Sequence, residues 1–565
     1  MSSLNEKLMT KNKFIYTAFT AAMLLVATSC QDQLDVGNPN QPTVTANVNS
    51  EIGLISLAKG AVYVNGFLNG DDWLGNSYYS LPMGYNELMA DNVGASASNN
   101  QVTTVGQPDY IILDDKSTKK TSSKSVDILR TYNTRAATGA DNNAIHYEWL
   151  NMYAMNNACN LVLSVADEIP FTGDAESRLN TVKAWCYWWK AFAYAGIGSK
   201  YYYGLIVNEY GETSNEYVGH DAMIAESNRL FNLAASTLGS ITSPSDYAAV
   251  LGELIPAQNQ VGNGGILTIE EWKRSINTML ARNLLFNKLA PFVNGNLSAT
   301  ITGTSMSGTM STADWNSILT LTTNGVQDGD HIFVGYTTGT NDFFSASGGT
   351  VAACTSAPAS NSTFKISERV IQCFNDGDKR LENNFVEEDG YINDYIYTTR
   401  YTLVNGGNGM DGVVTYGTKK VKAHELVMTV SYEENALMLA EANIRLGNTE
   451  AGLVIIDAIR DYMGAGVAAV AGNGLTPSEA MNELAKERRT SLLFRGLTYY
   501  DNRRFGWSYD IAKGGGRYGN VIVLGTTVNK DATINYNFMD YWDVPANEAV
   551  LNPDAGGSNL QNPNF

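Results

Sequence analysis

Apolar residues recur at spacings of three and four in blocks that end on glycine or proline, the punctuation of helices rather than strands. The sharpest block opens at Ser431-Tyr-Glu-Glu434, where Ser431 and Glu434 stand at the spacing of a capping box, each satisfying a free backbone N–H. Leu437, Leu439, Ala440, Ala442, Ile444 and Leu446 follow, and Gly447 supplies a left-handed stop. A second helix begins at once with Leu453, Ile456, Ile459, Arg460 and Tyr462 before Gly464; so short a turn predicts an antiparallel hairpin. Thr476-Pro477-Ser-Glu479 opens a helix running through Leu484 and Leu493, and Thr268-Ile-Glu-Glu271 opens another carrying Ile276, Leu280, Leu284 and Leu289. Residues 144–169 and 174–200 form a further pair parted by Pro170-Phe-Thr-Gly173, and 222–238 is amphipathic. The expectation is a mainly α fold, a tetratricopeptide-like array of helical hairpins (an α/α superhelix) whose neighbours cover each other's apolar faces. The published repeat consensus is not matched, so the likeness is one of shape.

Between 291 and 428 the periodicity vanishes. Gly, Ser, Thr, Asn and aromatic residues dominate, as in Asn405-Gly-Gly-Asn-Gly409, with strand-like runs such as His331-Ile-Phe-Val-Gly-Tyr336. A long irregular block inside a helical array is functional or disordered. Its aromatics, among them Trp315, Tyr336, Phe343, Tyr391 and Tyr401, point to an ordered insertion with short strands. The expected organisation is one body, with helical repeats over 51–290, the insertion over 291–428, and C-terminal hairpins and tail over 429–565.

The first residues carry an address. Lys7, Lys11 and Lys13 precede an apolar run too short to span a bilayer, and Ala27-Thr28-Ser29 leads into Cys30. Residues 1–29 read as a signal peptide. A Cys directly after small residues resembles a bacterial lipobox, in which that Cys becomes the lipid-modified (palmitate-bearing) mature terminus. Residues 30–50, polar and rich in Asn and Pro, then read as the lipid-anchored tether. Two or more acyl chains, at ~0.8 kcal/mol per buried methylene, hold a soluble body on a membrane durably.

With 38 Lys+Arg against 57 Asp+Glu, the formal charge is −19, and losing residues 1–29 removes three Lys and one Glu to leave −21. Such a surface repels phosphate backbones and anionic lipid, which excludes nucleic acid as a partner and leaves the lipid as the only membrane contact. Four His and five Cys offer no zinc or redox spacing. Cys159 and Cys186, on consecutive helices, meet either as a disulfide or as two buried thiols.

No G-x-S-x-G, H-E-x-x-H or P-loop is present. Gly407-x-Gly409-x-x-Gly412 lacks a strand-to-helix context and reads as a turn. Acidic doublets such as Asp114-Asp115, Glu270-Glu271 and Glu433-Glu434 read as caps and solvated faces, since a glycosidase needs opposed carboxylates. No cofactor is expected. Glu387, Glu388, Asp389, Asn393 and Asp394 offer oxygens for a structural calcium without EF-hand spacing. Lys365, Arg369, Lys379 and Arg380 read as a solvated basic face rather than an anion site.

What remains is aromatic surface among amides. Trp73, Tyr79, Tyr85, Asn86, Asp91 and Asn92 fall in one stretch, with Trp315, Tyr336 and Phe343 in the insertion. Ring faces pack on sugar C–H groups while amides and carboxylates bond hydroxyls, so these nine are the candidate ligand-binding residues; the competing reading buries their rings in the helical core.

Four stretches resemble the SusD/RagB family of nutrient-binding outer-membrane lipoproteins. They are Cys30-Gln-Asp-Gln-Leu-Asp35 with Asn38-Pro-Asn40; Trp149-x-x-x-Tyr153 with Cys159-Asn160; Ala440-Glu-Ala-Asn-Ile-Arg-Leu-Gly447 and the helix to Gly464; and Glu487-Arg488 through Phe494, Gly496, Asp501 and Arg504. The tail agrees, in Val544-Pro545 and Gln561-Asn-Pro-Asn-Phe565. Ser491, Arg495 and Thr498 depart from the family's usual Glu, Glu and Arg, so an ion-pair network there is rewired or lost. The resemblance implies a non-enzymatic, surface-exposed lipoprotein of the outer membrane, acting as the lid of a SusC-like TonB-dependent transporter and delivering oligosaccharides to it. A peptide-binding subunit of the same architecture, or a surface glycosidase, are the alternatives.

Overall fold

The computed structural model of the protein describes residues 48–63, 84–95, 104–120, 125–133, 144–288, 310–336, 364–393, 398–418, 420, 423 and 425–565. Cys30, Trp73, Tyr79 and Phe343 lie outside them, as do the expected signal peptide and most of the tether.

The architecture is mainly α. Helices α1 (Glu51–Tyr63) and α2 (Gly84–Met89) precede a long hairpin of α3 (Ala144–Ala166) and α4 (Ala175–Lys200). Helices α5 (His220–Gly239), α6 (Pro244–Leu254), α7 (Ile269–Asn287) and α8 (Thr312–Thr323) continue the array. The C-terminal part holds α9 (Tyr432–Arg445), α10 (Thr449–Tyr462), α11 (Pro477–Ser491) and α12 (Thr498–Arg504). Helix α3 packs on α4, α4 on α5, and α9 on α10, the hairpin arrangement expected from the short connections.

Local chemistry sets the helix ends. Thr268 and Glu271 close a full capping box on α7, at 2.5 and 3.2 Å, and Thr476 and Glu479 close another on α11, at 2.8 and 3.3 Å. At α9 only half of the expected box forms. Ser431 Oγ accepts from the Glu434 N–H, but the Glu434 carboxylate pairs with Arg282 of α7. Glu434 is buried, where a guanidinium is a stronger partner than one backbone N–H. Helix α11 stops at Ser491 rather than running through Leu493, because Phe494 and Gly496 adopt φ of 61° and 69°.

The core is aromatic. Trp185, Trp188 and Trp189 of α4 surround Phe333 with Trp272 of α7, ring centroids 5.4–6.4 Å apart. Cys159 and Cys186 are buried free thiols, so no disulfide joins α3 to α4.

The 291–428 block contains more regular structure than its composition suggests. Helix α8 was not expected. Ser311 and Asp314 form a capping box at 3.2 and 2.8 Å, and Trp315, Ile318 and Thr322 turn one buried face inward. The His331–Tyr336 run does contain a strand, Val334–Tyr336, which pairs antiparallel with Glu425–Val427 and sets Val334 opposite Val427. The block is therefore stitched to itself near its end.

A six-stranded sheet, also unforeseen, gathers distant parts of the chain. Its strands are β1 (Tyr110–Ile112), β2 (Thr118–Lys120), β3 (Phe385–Asn393), β4 (Thr398–Leu403), β5 (Arg517–Leu524) and β6 (Thr527–Asn535). Their order is β2-β1-β6-β5-β4-β3 and each described pairing is antiparallel. Bulges interrupt the register of β5 against β6 between Arg517 and Ile522.

Candidate functional site

Most of the sequence-nominated residues that can be seen are inside the protein. Tyr85, Asn86, Asp91, Asn92 and Trp315 all have at most 6% of their surface exposed. Asn86 Nδ2 donates to the Gly496 carbonyl at 3.1 Å, and its Oδ1 accepts from Lys200. Asp91 accepts from Arg369 Nη2 at 2.6 Å, Arg517 Nη1 at 3.1 Å and Ser367 Oγ at 3.0 Å. Burial alone would push its carboxyl up, but the guanidiniums of Arg369, Arg517 and Arg489 win and hold it at about 2. Trp315 sits under the Arg445 guanidinium, 5.5 Å from the ring centre. Tyr336 lies on its strand opposite Glu425. Asn86 and Asp91 have thus found internal partners and tie the 84–95 segment to Lys200, to Ser367 and Arg369, and to Gly496 and Arg517.

The proposed solvated basic face is likewise interior. Lys365, Arg369 and Arg380 are buried and only Lys379 is exposed. Arg380 is clamped by Asp378 and Glu487, at 2.8 and 2.6 Å. Of the oxygens considered for calcium, Glu387 is exposed 3.6 Å from Arg400, and the Asp389, Asn393 and Asp394 side chains lie outside the described residues.

The family-signature segment explains why these residues went inward. Arg489 Nη2 donates to the carbonyls of Ala90 and Asp91, at 2.8 and 2.6 Å. Glu87 accepts from the Gly496 N–H at 2.7 Å and from Asn92 Nδ2 at 2.6 Å. The network expected to be rewired or lost is rewired: Ser491 Oγ donates to Glu487 at 2.5 Å, and Arg495 pairs with Glu433 at 2.8 Å.

Burial pushes Glu87 from 4.5 up to about 7, against the pull of Asn92, Gly496 and Arg489. Its protonated form is the one the fold prefers. Stability therefore is highest below pH 4.5 for this group and is lost as pH rises through 7, by about 3 kcal/mol in all. Glu87→Gln should flatten the stability profile between pH 5 and 8 in thermal melts. Among the described residues Asn92 Oδ1 is buried without a partner, so a flipped Asn92 amide can accept from the new one.

The open site lies elsewhere, where the 404–418 loop meets the ends of α9, α10 and α11. A cleft of about 700 Å³ opens there, within the roughly 300–1,000 Å³ of small-molecule sites. Its wall is preformed. Asn383 Oδ1 accepts from the Asn408 and Met410 N–H groups at 3.1 and 3.0 Å. Asn384 bonds the Tyr416 N–H at 2.8 Å and the Val414 carbonyl at 2.7 Å. Gly407, Gly409 and Gly412, the pattern read as a turn, have φ of 69–77°. Gly464, at φ 73°, is the seat of this loop: a Cβ there would stand 2.2 Å from the Gly412 oxygen.

Tyr462, 40% exposed, presents its ring to this cleft and is braced edge-on by Tyr432, ring centres 5.1 Å apart. Around it stand Thr415, Thr418, Lys420 and the Glu433–Arg495 pair. Burial pushes the Glu433 carboxyl up but Arg495 overrides it, so Glu433 is ionised and occupied. Glu425 accepts from the backbone and side-chain nitrogens of Asn263, at 3.0 and 2.9 Å. The arrangement is one braced ring among hydroxyls, amides and paired charges, suited to holding a polar, uncharged molecule. Tyr462 was legible only as the last residue of a helix face; its role comes from the helix ending there.

Residues 299–565 match the model of the SusD family. The whole described fold is shared with solved structures. A SusD superfamily protein from Bacteroides vulgatus aligns with TM-score 0.51 and 14% identity over 89% of this chain and 97% of that one. A putative sugar binding protein from the same species gives 0.52 and 14% over 90% and 98%. A SusD-like carbohydrate binding protein from Bacteroides fragilis gives 0.52 and 15% over 90% and 99%. At these identities the likeness carries the fold alone. No curated protein sequence matches the chain. Residues 299–565 therefore place the C-terminal part of the chain in the SusD family, and the architecture around it is the fold those solved structures share.

Proposed function

We propose that this protein is a surface nutrient-binding lipoprotein that captures neutral oligosaccharides in the Tyr462 cleft and delivers them uncleaved to a SusC-like TonB-dependent transporter, acting as its lid. The observation that carries the reading is the preformed cleft itself, with an exposed ring braced beside hydroxyls and self-paired charges. The sugar- and carbohydrate-binding names of two structural relatives support it. Among the described residues no helix is long and apolar enough to cross a membrane, and a lipid on Cys30 supplies the anchor in this reading. The twenty-one residues 30–50 reach at most ~75 Å when extended, enough slack for the body to swing. Closing over the transporter with ligand aboard is then a hinge-type population shift. Neither carboxylate at the cleft is free for acid–base work, which supports capture without cleavage.

Isothermal titration against maltohexaose, cellohexaose, xylohexaose, mannohexaose and a mixed peptide pool tests this. One sugar should bind without turnover, and Tyr462→Ala should weaken it about tenfold, as the loss of one stacking ring costs about 1 kcal/mol or slightly more. Binding of peptide alone, or hydrolysis of any sugar, overturns the proposal.

A further inference from the structure

The first half of α11 borders a second cleft, of about 530 Å³, which shares no lining residue with the Tyr462 cleft. Its far wall is the bulged start of β5. Gly516 and Gly519, at φ of 93° and 67°, break the strand's alternation and leave Tyr518 59% exposed. The bulge is locked in place. Gln372 accepts from the Val521 N–H at 2.7 Å and donates to the Gly519 carbonyl at 3.1 Å. Asn520 Nδ2 donates to the Arg517 carbonyl at 2.6 Å. Tyr518 itself is tethered, its hydroxyl donating to the Gly515 carbonyl at 3.2 Å.

Trp507 completes this wall, seated beside the Arg517 guanidinium at 5.1 Å. Its indole N–H has no hydrogen-bond partner among the described residues, and neither has the side chain of Asn482, exposed on the facing helix. Every charge at the cleft is by contrast engaged. Glu479 caps α11, Glu483 holds Arg460 at 2.6 Å and Lys486 at 3.0 Å, and Arg517 holds Asp91. Two fixed rings, unspent amide and indole donors, and no unpaired charge describe a site for an uncharged polyhydroxyl ligand.

We infer that this second cleft, between Trp507, Tyr518 and Asn482, is an additional binding site for a neutral saccharide, separate from the one at Tyr462. The inference rests on the saccharide reading above, and it makes the protein bivalent, with one hexasaccharide gripped at each end of α11. A chain long enough to reach both sites gains avidity without any new contact.

The same four hexasaccharides, titrated calorimetrically into the mature protein, test this. Wild type should show two binding events per chain. Tyr518→Ala with Asn482→Ala, both at exposed positions, should remove one of them, weakening it at least tenfold, while the Tyr462-dependent event persists. Trp507→Phe, which keeps a ring but deletes the indole N–H, should weaken the same event several-fold. Circular dichroism melts matching wild type certify the folds. A single event abolished by Tyr462→Ala and indifferent to the double variant overturns this inference and leaves the capture function standing. No binding of any sugar overturns both.

Discussion

Asp91→Ala is expected to lower the stability of the protein by about 3–5 kcal/mol, with no specific effect on ligand affinity in whatever fraction remains folded. Asp91 is 4% exposed, and its carboxylate is the partner of Arg369 and Arg517, which are themselves 1% and 5% exposed. Removing it strands two guanidiniums in the interior beside a third, Arg489, whose own charge burial already disfavours. Asp91→Asn keeps the shape and some hydrogen bonds but not the charge, and should recover only part of the loss. Because the folded carboxyl titrates near 2, below its usual 3.8, its contribution is complete at neutral pH and fades only as pH falls through that window. Thermal melts at pH 7 and a titration of the apparent midpoint in acid check both statements. A variant that melts like wild type yet binds sugar poorly would return Asp91 to the ligand site.

Arg504→Ala should cost a similar 3–5 kcal/mol, read as a fall in the chemical-denaturation midpoint. Arg504 is fully buried and makes a two-pronged contact with Glu441, both bonds 2.7 Å, while its Nε donates to Asp501 at 2.7 Å. Asp501 keeps Arg488, 2.9 Å away, but Glu441 is left with Arg445 at 3.5 Å. The substitution thus removes a two-pronged partner from a carboxylate that has no exposed surface. Arg504→Lys restores the charge without the planar fork and should rescue less than half of the loss. Equal stability of the Lys and Arg proteins would show that point charge, not fork geometry, holds α12 to α9.

The helical frame was legible because its signals are local. Thr268 with Glu271, Thr476 with Glu479, and Gly447 with φ of 89° all act within one helical turn, so a reader of the chain sees both partners at once. The sheet was not legible, because β1 pairs with β6 across more than 400 positions and the bulges of β5 erase its two-residue alternation. Helix α8 is hidden for a different reason: its threonines lower helix propensity, and the Ser311–Asp314 cap sits in a block of loop-like composition. The candidate ligand residues share one ambiguity. Tyr85, Asn86, Asp91 and Trp315 have the residue types of a sugar site, and the same types serve a buried polar network when guanidiniums and backbone carbonyls are near. Only three-dimensional proximity to Arg369, Lys200 and Arg445 separates the two.

The contact of Gly464 with Gly412 constrains how the neighbouring cleft can change shape. Main chain touches main chain there, and no side chain of any kind fits between them. In the binding role proposed above, substitutions along the rim, at Thr415, Thr418 or Tyr462, retune which molecule is preferred. The turn itself is closed to that kind of change: any Cβ at Gly464 meets the Gly412 carbonyl, so reshaping it requires replacing the whole turn.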